Sequence, residues 1–394
     1  MWRAGRLRDV VLGFALLGFA PCSAYGQLGT RLTGYLEHQF STNRTDHGWR
    51  LIDYDRARVD LSARAGRGVS ASVAAVGQLY RGNTRVELRD FLPDDLDPLV
   101  DTASVTLDDQ YFLNHAYVTF QPGALELIAG KQYLTWGAAW VFNPTELFRP
   151  KNPFEPTYER EGVAAISAKV SLGPLSDVQV ALVPDGGFDT SGKLFRARHH
   201  LVGFDLSALV AVVHERQAPT AFDVPTDLER RFTVGGDVSG EILGLGVWAE
   251  ATWSDHADER WVETAVGGNY TLGDGTLLLL EGYYNGRGEW DHPYSPSQWL
   301  ARFSGDRRSL GKGLVYGLAS RPFGQLWTLG MSALANVGDG SMVLIPSVAY
   351  AFAENVDLLF NGFAYVGGDG AEFGTDTYGA FLRGRIYFQL FPQP

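Results

Sequence analysis

From Thr30 onward the chain alternates. The segment from Asp55 to Ala65, DRARVDLSARA, puts Ala57, Val59, Leu61 and Ala63 on one face and Arg56, Arg58, Asp60, Ser62 and Arg64 on the other. That is the period of a β-strand with one apolar and one ionic face. LRGRIYFQL, from Leu382, repeats the pattern with Arg383 and Arg385 on its polar side. No stretch of the mature chain carries a convincing helical period. Read this way, the chain predicts 18 strands: 30–40, 50–65, 69–80, 109–120, 125–136, 161–172, 176–184, 193–203, 205–215, 231–241, 244–254, 261–272, 275–285, 312–320, 325–336, 341–352, 355–366 and 376–390. An alternative count is 16. Most have the length of a tilted strand crossing a membrane.

The connections sharpen this. Tight ones at 66, 121, 173, 243, 273, 321 and 353 alternate with long polar ones at 81–108, 137–160, 217–230, 286–311 and 367–375. Short turns at one end and long loops at the other predict an all-β, antiparallel transmembrane barrel, with the turns periplasmic and the loops extracellular. An even strand count returns both termini to the turn side. The Gly-Asp-Gly triplets at 273, 338 and 368 read as hairpin turns. Trp253, Trp261, Tyr283, Tyr284, Tyr365 and Tyr378 fall near outer strand ends, where a girdle of amphipathic rings is expected. Tyr133 and Trp136 would end the fifth strand in the same belt.

The first 26 residues read as a signal peptide, leaving 27–394 as the barrel. Arg3, Arg6 and Arg8 precede an apolar run from Val10 to Ala20, and Ala24-Tyr25-Gly26 supplies small residues before the expected cleavage. The run is too short for a membrane helix, which takes about 20 apolar residues. The single cysteine, Cys22, lies in this leader, so neither a disulfide framework nor a thiolate metal site is expected. A net charge of −12 argues against nucleic acid as a partner.

With the apolar faces toward lipid, the inward charges can be mapped. The last strand and the first two carry Arg31, Arg56, Arg58, Arg64, Arg383 and Arg385 against Glu37 and Asp60. Across the barrel, the tenth to thirteenth strands carry Asp237, Glu241, Glu250, Glu263 and Glu281 against Arg231. Arg196 and Arg198, with His200, add a second basic patch. A basic wall opposite an acidic wall would set a transverse field across confined water; pairing between neighbouring strands is the plainer alternative. The loop from Gly137 to Glu161, stiffened at Asn143-Pro144 and Asn152-Pro153, could dip inward and narrow the lumen with Trp140, Asn143, Glu146, Arg149 and Lys151. The alternative is a loop packed over the rim. Eight carboxylates between 82 and 109 (Glu87, Asp90, Asp94, Asp95, Asp97, Asp101, Asp108 and Asp109) make an acidic outer loop, solvated or cation-binding.

The pattern Gly130-Lys131-Gln132, Trp136-Gly137 and Asn143-Pro144, with its Phe- and Pro-rich tail, resembles a motif of large, mostly uncharacterised Gram-negative outer-membrane barrels related to porins and alginate-export channels. The aromatic last strand is similar to their assembly signal, although Pro392-Gln393-Pro394 follow Phe391 here. The resemblance implies residence in the outer membrane, contact with lipid and lipopolysaccharide, delivery by the barrel-assembly machinery, and room for oligomers.

No Gly-x-Ser-x-Gly, His-Glu-x-x-His or phosphate-loop pattern occurs. Asn114-His115 is half of what a lipase site needs. The expectation is a porin-like channel for small polar or anionic solutes, not an enzyme, with no cofactor and no metal. Polysaccharide export, uptake of hydrophobic compounds, an outer-membrane enzyme and a secreted β-lectin are the competing readings.

Overall fold

The computed structural model describes residues 28–390 apart from 46–47, 67, 88–103, 217–227, 257–258, 304, 306 and 375–376. The leader, the extreme C-terminus and Asp90, Asp94, Asp95, Asp97 and Asp101 of the acidic stretch lie outside the described residues.

The strands are β1 (Leu28–Thr45), β2 (Gly48–Ala65), β3 (Val69–Gly82), β4 (Arg85–Glu87), β5 (Ser104–Thr106), β6 (Gln110–Phe120) and β7 (Leu125–Gln132). They continue as β8 (Val163–Gly173), β9 (Ser176–Asp185), β10 (Gly187–Leu201), β11 (Phe204–Arg216), β12 (Leu228–Ile242), β13 (Leu245–His256) and β14 (Glu259–Thr271). The series ends with β15 (Leu277–Asn285), β16 (Gly313–Phe323), β17 (Trp327–Asn336), β18 (Met342–Ala353), β19 (Val356–Val366) and β20 (Tyr378–Leu390). Apart from the small β4–β5 ribbon, they form one 18-stranded antiparallel sheet. Each strand pairs with its neighbour in sequence, and β20 pairs with β1 from Leu32↔Leu390 to Arg44↔Tyr378. The sheet is therefore a closed barrel without edges.

The alternation in the sequence becomes the two faces of this wall. Leu36, Phe40, Leu61, Val73, Leu382 and Ile386 are exposed on the outside, whereas Tyr35, Glu37, Tyr54, Arg56 and Arg383 are buried within. Because side chains flip face at every residue, adjacent aromatics divide. Trp253, Tyr284 and Tyr378 are exposed, as a girdle requires. Trp261 and Tyr283 are buried instead, and Tyr365 packs inward against Phe154 and Phe373. These three belong to the interior, not to the expected belt.

Among the described residues one helix interrupts the loops: α1 (Pro296–Phe303), between β15 and β16. The sequence reading places only a long polar loop here, because eight residues make little more than two turns and leave no clear period; the helix is fixed by its first residues. Ser295 precedes Pro296 at the first helical position, the Ser295 N–H donates to Gln298 Oε1 at 2.7 Å, and the Gln298 N–H donates back to Ser295 Oγ at 3.4 Å, which is a capping box.

Candidate functional site: an inserted loop between charged walls

The fifth barrel strand, β7, ends at Gln132 and not at Trp136. The residues resembling the barrel motif explain why. Gly130 has φ +121 and its Cα faces the Ala116 carbonyl so closely that a Cβ would meet that oxygen at 2.2 Å. Gln132 then donates to the Ala165 carbonyl at 2.9 Å and accepts from Ser167 Oγ at 2.6 Å, which fixes the last wall residue. Beyond it the chain turns inward. Leu134 and Trp136 pack with Ala165, Ala181, Leu194 and Leu209, and Trp136 Nε1 reaches Gln179 at 3.2 Å. Tyr133 and Trp136 therefore mark the entry to the lumen. Gly137, with φ +99, lets the backbone approach Glu250 so closely that a Cβ would sit 2.5 Å from Oε2.

The inserted segment is held by wall carboxylates. Glu250 on β13 accepts the N–H groups of Ala138 (3.0 Å), Ala139 (3.2 Å) and Thr145 (2.7 Å), the Thr145 hydroxyl (2.6 Å) and the Asn143 side-chain amide (3.4 Å). Glu281 on β15, fully buried, accepts the N–H groups of Trp140 (2.6 Å), Val141 (2.9 Å) and Phe142 (2.7 Å) and Trp248 Nε1 (2.7 Å). A loop inside a barrel leaves backbone donors without a strand partner, and these two carboxylates satisfy them. Apolar packing backs the contact: Phe142 stacks on Tyr283 at 4.6 Å, beside Trp248, Leu279, Leu314, Tyr316 and Ile345.

The remaining loop residues brace the segment. Arg308 donates to the carbonyls of Asn143 and Glu146, both at 2.7 Å. Lys151 Nζ donates to the Ala139 and Trp140 carbonyls at 2.8 Å each. Glu146 accepts from Arg160 at 2.8 Å, and Arg149 lies 3.2 Å from Glu161. Burial pushes the Glu146 carboxyl up to about 7, against the opposing pull of Arg160, Arg308 and Lys151.

On its far side the loop meets the basic wall. Glu155 forms a two-point pair with Arg383, at 2.7 and 3.0 Å. Glu159 takes Arg56, Arg58 and the Tyr35 hydroxyl together. Tyr158 donates to Glu37 at 2.9 Å and lies beneath Arg383 (4.6 Å), Arg56 (5.6 Å) and Arg385 (5.8 Å). Glu37 also accepts from Arg385 Nε at 2.7 Å and from Tyr54 at 2.9 Å. Although burial opposes it, the Tyr35 hydroxyl with Arg56 and Arg58 holds the Glu159 carboxyl below its ordinary value.

The two walls thus do not face each other across open water, because the loop lies between them and engages both. Other residues of the expected walls stand apart from it. Arg31 is exposed at the turn end, 3.3 Å from Gln389, and Arg64 and Glu241 are exposed there too. Asp237 pairs with Ser207 and lies 3.9 Å from Arg196, Arg198 holds Asp177 at 2.7 Å, and Glu263 binds Tyr283 and lies 3.4 Å from Arg308. Sequence reasoning passed over Glu155, Tyr158, Glu159 and Arg308. The first three sit in a charged tail after two Asn-Pro turns, where no periodicity assigns a direction. Below the loop lies a cavity of about 530 Å³, lined among others by Glu155, Tyr158, Glu159, Arg383, Arg385 and Tyr387. Among the described residues there is no cluster of three or more metal-ligating side chains.

No protein-family model matches the chain, and no curated protein matches it. Among solved structures it is similar to OccAB1 of Acinetobacter baumannii, at 13% identity and a TM-score of 0.57, covering 92% of this chain and 97% of that one. It is also similar to the outer membrane protein OprD of Pseudomonas aeruginosa, at 10% identity and a TM-score of 0.55, with 93% and 95% covered. OccK5 (OpdH) of the same organism gives 10%, 0.54, 92% and 98%. At these identities the likeness is one of fold.

Proposed function

We propose that the chain is an outer-membrane channel that passes small polar or anionic solutes along the arginine-lined face of a lumen narrowed by its 137–161 loop. The observation that carries this reading is the inward loop flanked by Arg56, Arg58, Arg383 and Arg385 above a polar cavity. Charged groups this numerous on the inner face suit a lumen that holds water, since in a dry core each would cost free energy unless paired. The apolar outer face, exposed on the strands of the barrel, supports a lipid setting. With it come removal of residues 1–26 as a signal peptide, contact with lipid and lipopolysaccharide, delivery by the assembly machinery, and room for self-association.

Polysaccharide export would be favoured by a large surplus of unmatched inward arginines. Here Glu37, Glu155 and Glu159 match them. For the enzyme alternative, Ser72 Oγ lies 2.8 Å from His115 Nε2, and His115 Nδ1 lies 3.1 Å from Tyr133, which also bonds Asn114. A neutral phenol is a poor partner for a developing imidazolium, so we assign this chain of bonds to the polar lining. The test is flux of small anions, cations and neutral sugars from liposomes holding the folded mature protein. Anion efflux above that of empty liposomes is expected. Retention of every solute by vesicles with heat-modifiable, inserted protein would overturn the reading.

A further inference from the structure

The two ends of the inserted loop are attached by different chemistry. At the acidic wall, buried carboxylates of the wall accept loop N–H groups; Glu250 is 2% exposed and Glu281 0%, and neither lines the 530 Å³ cavity. At the basic wall the polarity is reversed: the loop supplies the carboxylates. Those of Glu155 and Glu159 are about a fifth exposed (21% and 20%), and both residues line the cavity with Arg383 and Arg385. A solute entering the cavity therefore touches the ion pairs at this end and none of the anchors at the other.

We infer, building on the channel reading, that Glu155 and Glu159 are specificity-determining residues: tethered anions that occupy two arginine stations and yield together to a solute carrying two carboxylates. The Glu155 station is a fork on Arg383 at 2.7 and 3.0 Å, the geometry in which guanidinium and carboxylate pair most strongly. The Glu159 station is Arg56 and Arg58 with the Tyr35 hydroxyl. Tyr158, beneath the arginines, ties the two stations into one unit. The segment joining them is a short turn, with the Glu155 N–H on the Asn152 carbonyl (3.1 Å) and the Tyr158 N–H on the Glu155 carbonyl (3.0 Å).

A group held by a short tether competes as though present at about millimolar concentration or above. A monocarboxylate must displace one station while the other keeps the segment in place. A dicarboxylate spanning both gains from two-point attachment and releases the turn in one step. No covalent change is involved.

Two measurements on the folded, full-length mature barrel test this. The first is hydrogen exchange of residues 152–161 with succinate or acetate at roughly tenfold above the millimolar effective concentration of the tethered carboxylates. Succinate is expected to speed exchange there while acetate leaves it unchanged; no response to succinate would overturn the inference. The second is liposome flux for the native chain and Glu155→Gln/Glu159→Gln. The native ratio of succinate to acetate flux is expected to fall on the order of tenfold in the double variant, discounted from an ideal two-point attachment because both stations are partly solvated. An unchanged ratio in a heat-modifiable, folded variant would overturn it too. Absence of all flux in the native protein, beside a succinate-dependent exchange response, would remove the channel reading and leave the displaceable contact standing.

Discussion

Replacing Glu281 by leucine removes the acceptor that holds the first turn of the inserted loop. Four donors lose their partner: the N–H groups of Trp140, Val141 and Phe142, at 2.6, 2.9 and 2.7 Å, and Trp248 Nε1 at 2.7 Å. A stranded buried donor costs about 1–3 kcal/mol. The four do not add, since lumen water can reach some of them once the loop shifts. A net weakening of loop docking by about 4 kcal/mol is reasonable, close to the cost of breaking a buried charged contact. The barrel itself is spared, because the β14–β15 and β15–β16 ladders do not pass through this side chain. Trypsin reads the difference by cutting after Lys151 and Arg160 only when the loop lifts. With opening and closing fast relative to cutting, the rate follows the open population, so a gain of two to three decades, roughly, is expected. Heat-modifiable gel mobility should remain native. A cleavage rate within about threefold of the parent, where the stated cost implies far more, would refute the claim that Glu281 holds the loop.

The same trypsin assay reports on Gly137→Ala, which places a methyl 2.5 Å from Glu250 Oε2 at φ +99; cleavage roughly tenfold faster is expected, from strain of about 1–3 kcal/mol, and an unchanged rate would speak against the close approach. Glu146 carries a carboxyl raised to about 7, so the docked loop binds more protons than the released one between its ordinary value and about 7. Protection should therefore be full at the acidic end of that window and decline as pH rises through it; Glu146→Gln should abolish the decline. Glu159 has the opposite sign. Its lowered value means that its hold on Arg56 and Arg58 is present above the ordinary carboxylate range and is lost as pH falls through the depressed value, with Glu159→Gln insensitive there. Arg56→Glu with Arg58→Glu should shift ion selectivity toward cations, measured as a reversal potential in a salt gradient, and an unmoved potential would deny these arginines a part in conduction.

Much of the wall was legible because a barrel strand has only two environments, lipid and lumen, and period two records them directly. β2 and β20 show it best: Arg56, Arg58, Arg383 and Arg385 lie on the inner face that alternation assigned them. Parity is also where reading failed. Tyr283 and Tyr284 are neighbours, yet one stacks on Phe142 and the other is exposed; proximity to a strand end does not say which face a ring takes. The end of β7 was misplaced for a different reason. Tyr133 to Trp136 continue the alternation of the strand, and what stops them is Gly130 against Ala116 and the bonds of Gln132, which are long-range contacts. The acidic residues of β13 and β15 were recognised as inward, but their task is to receive loop N–H groups, which only the inserted loop reveals. Glu155 and Glu159 follow prolines in an aperiodic tail, so nothing local pointed them to arginines on β2 and β20.

The most direct test of the central claim is single-channel recording of the detergent-folded mature protein in a planar bilayer under a salt gradient. Discrete, stable conductance steps with a reversal potential on the anion-selective side are expected. Inserted, heat-modifiable protein that gives no steps, or steps with a cation-selective reversal potential, would contradict a lumen that conducts along its arginine wall.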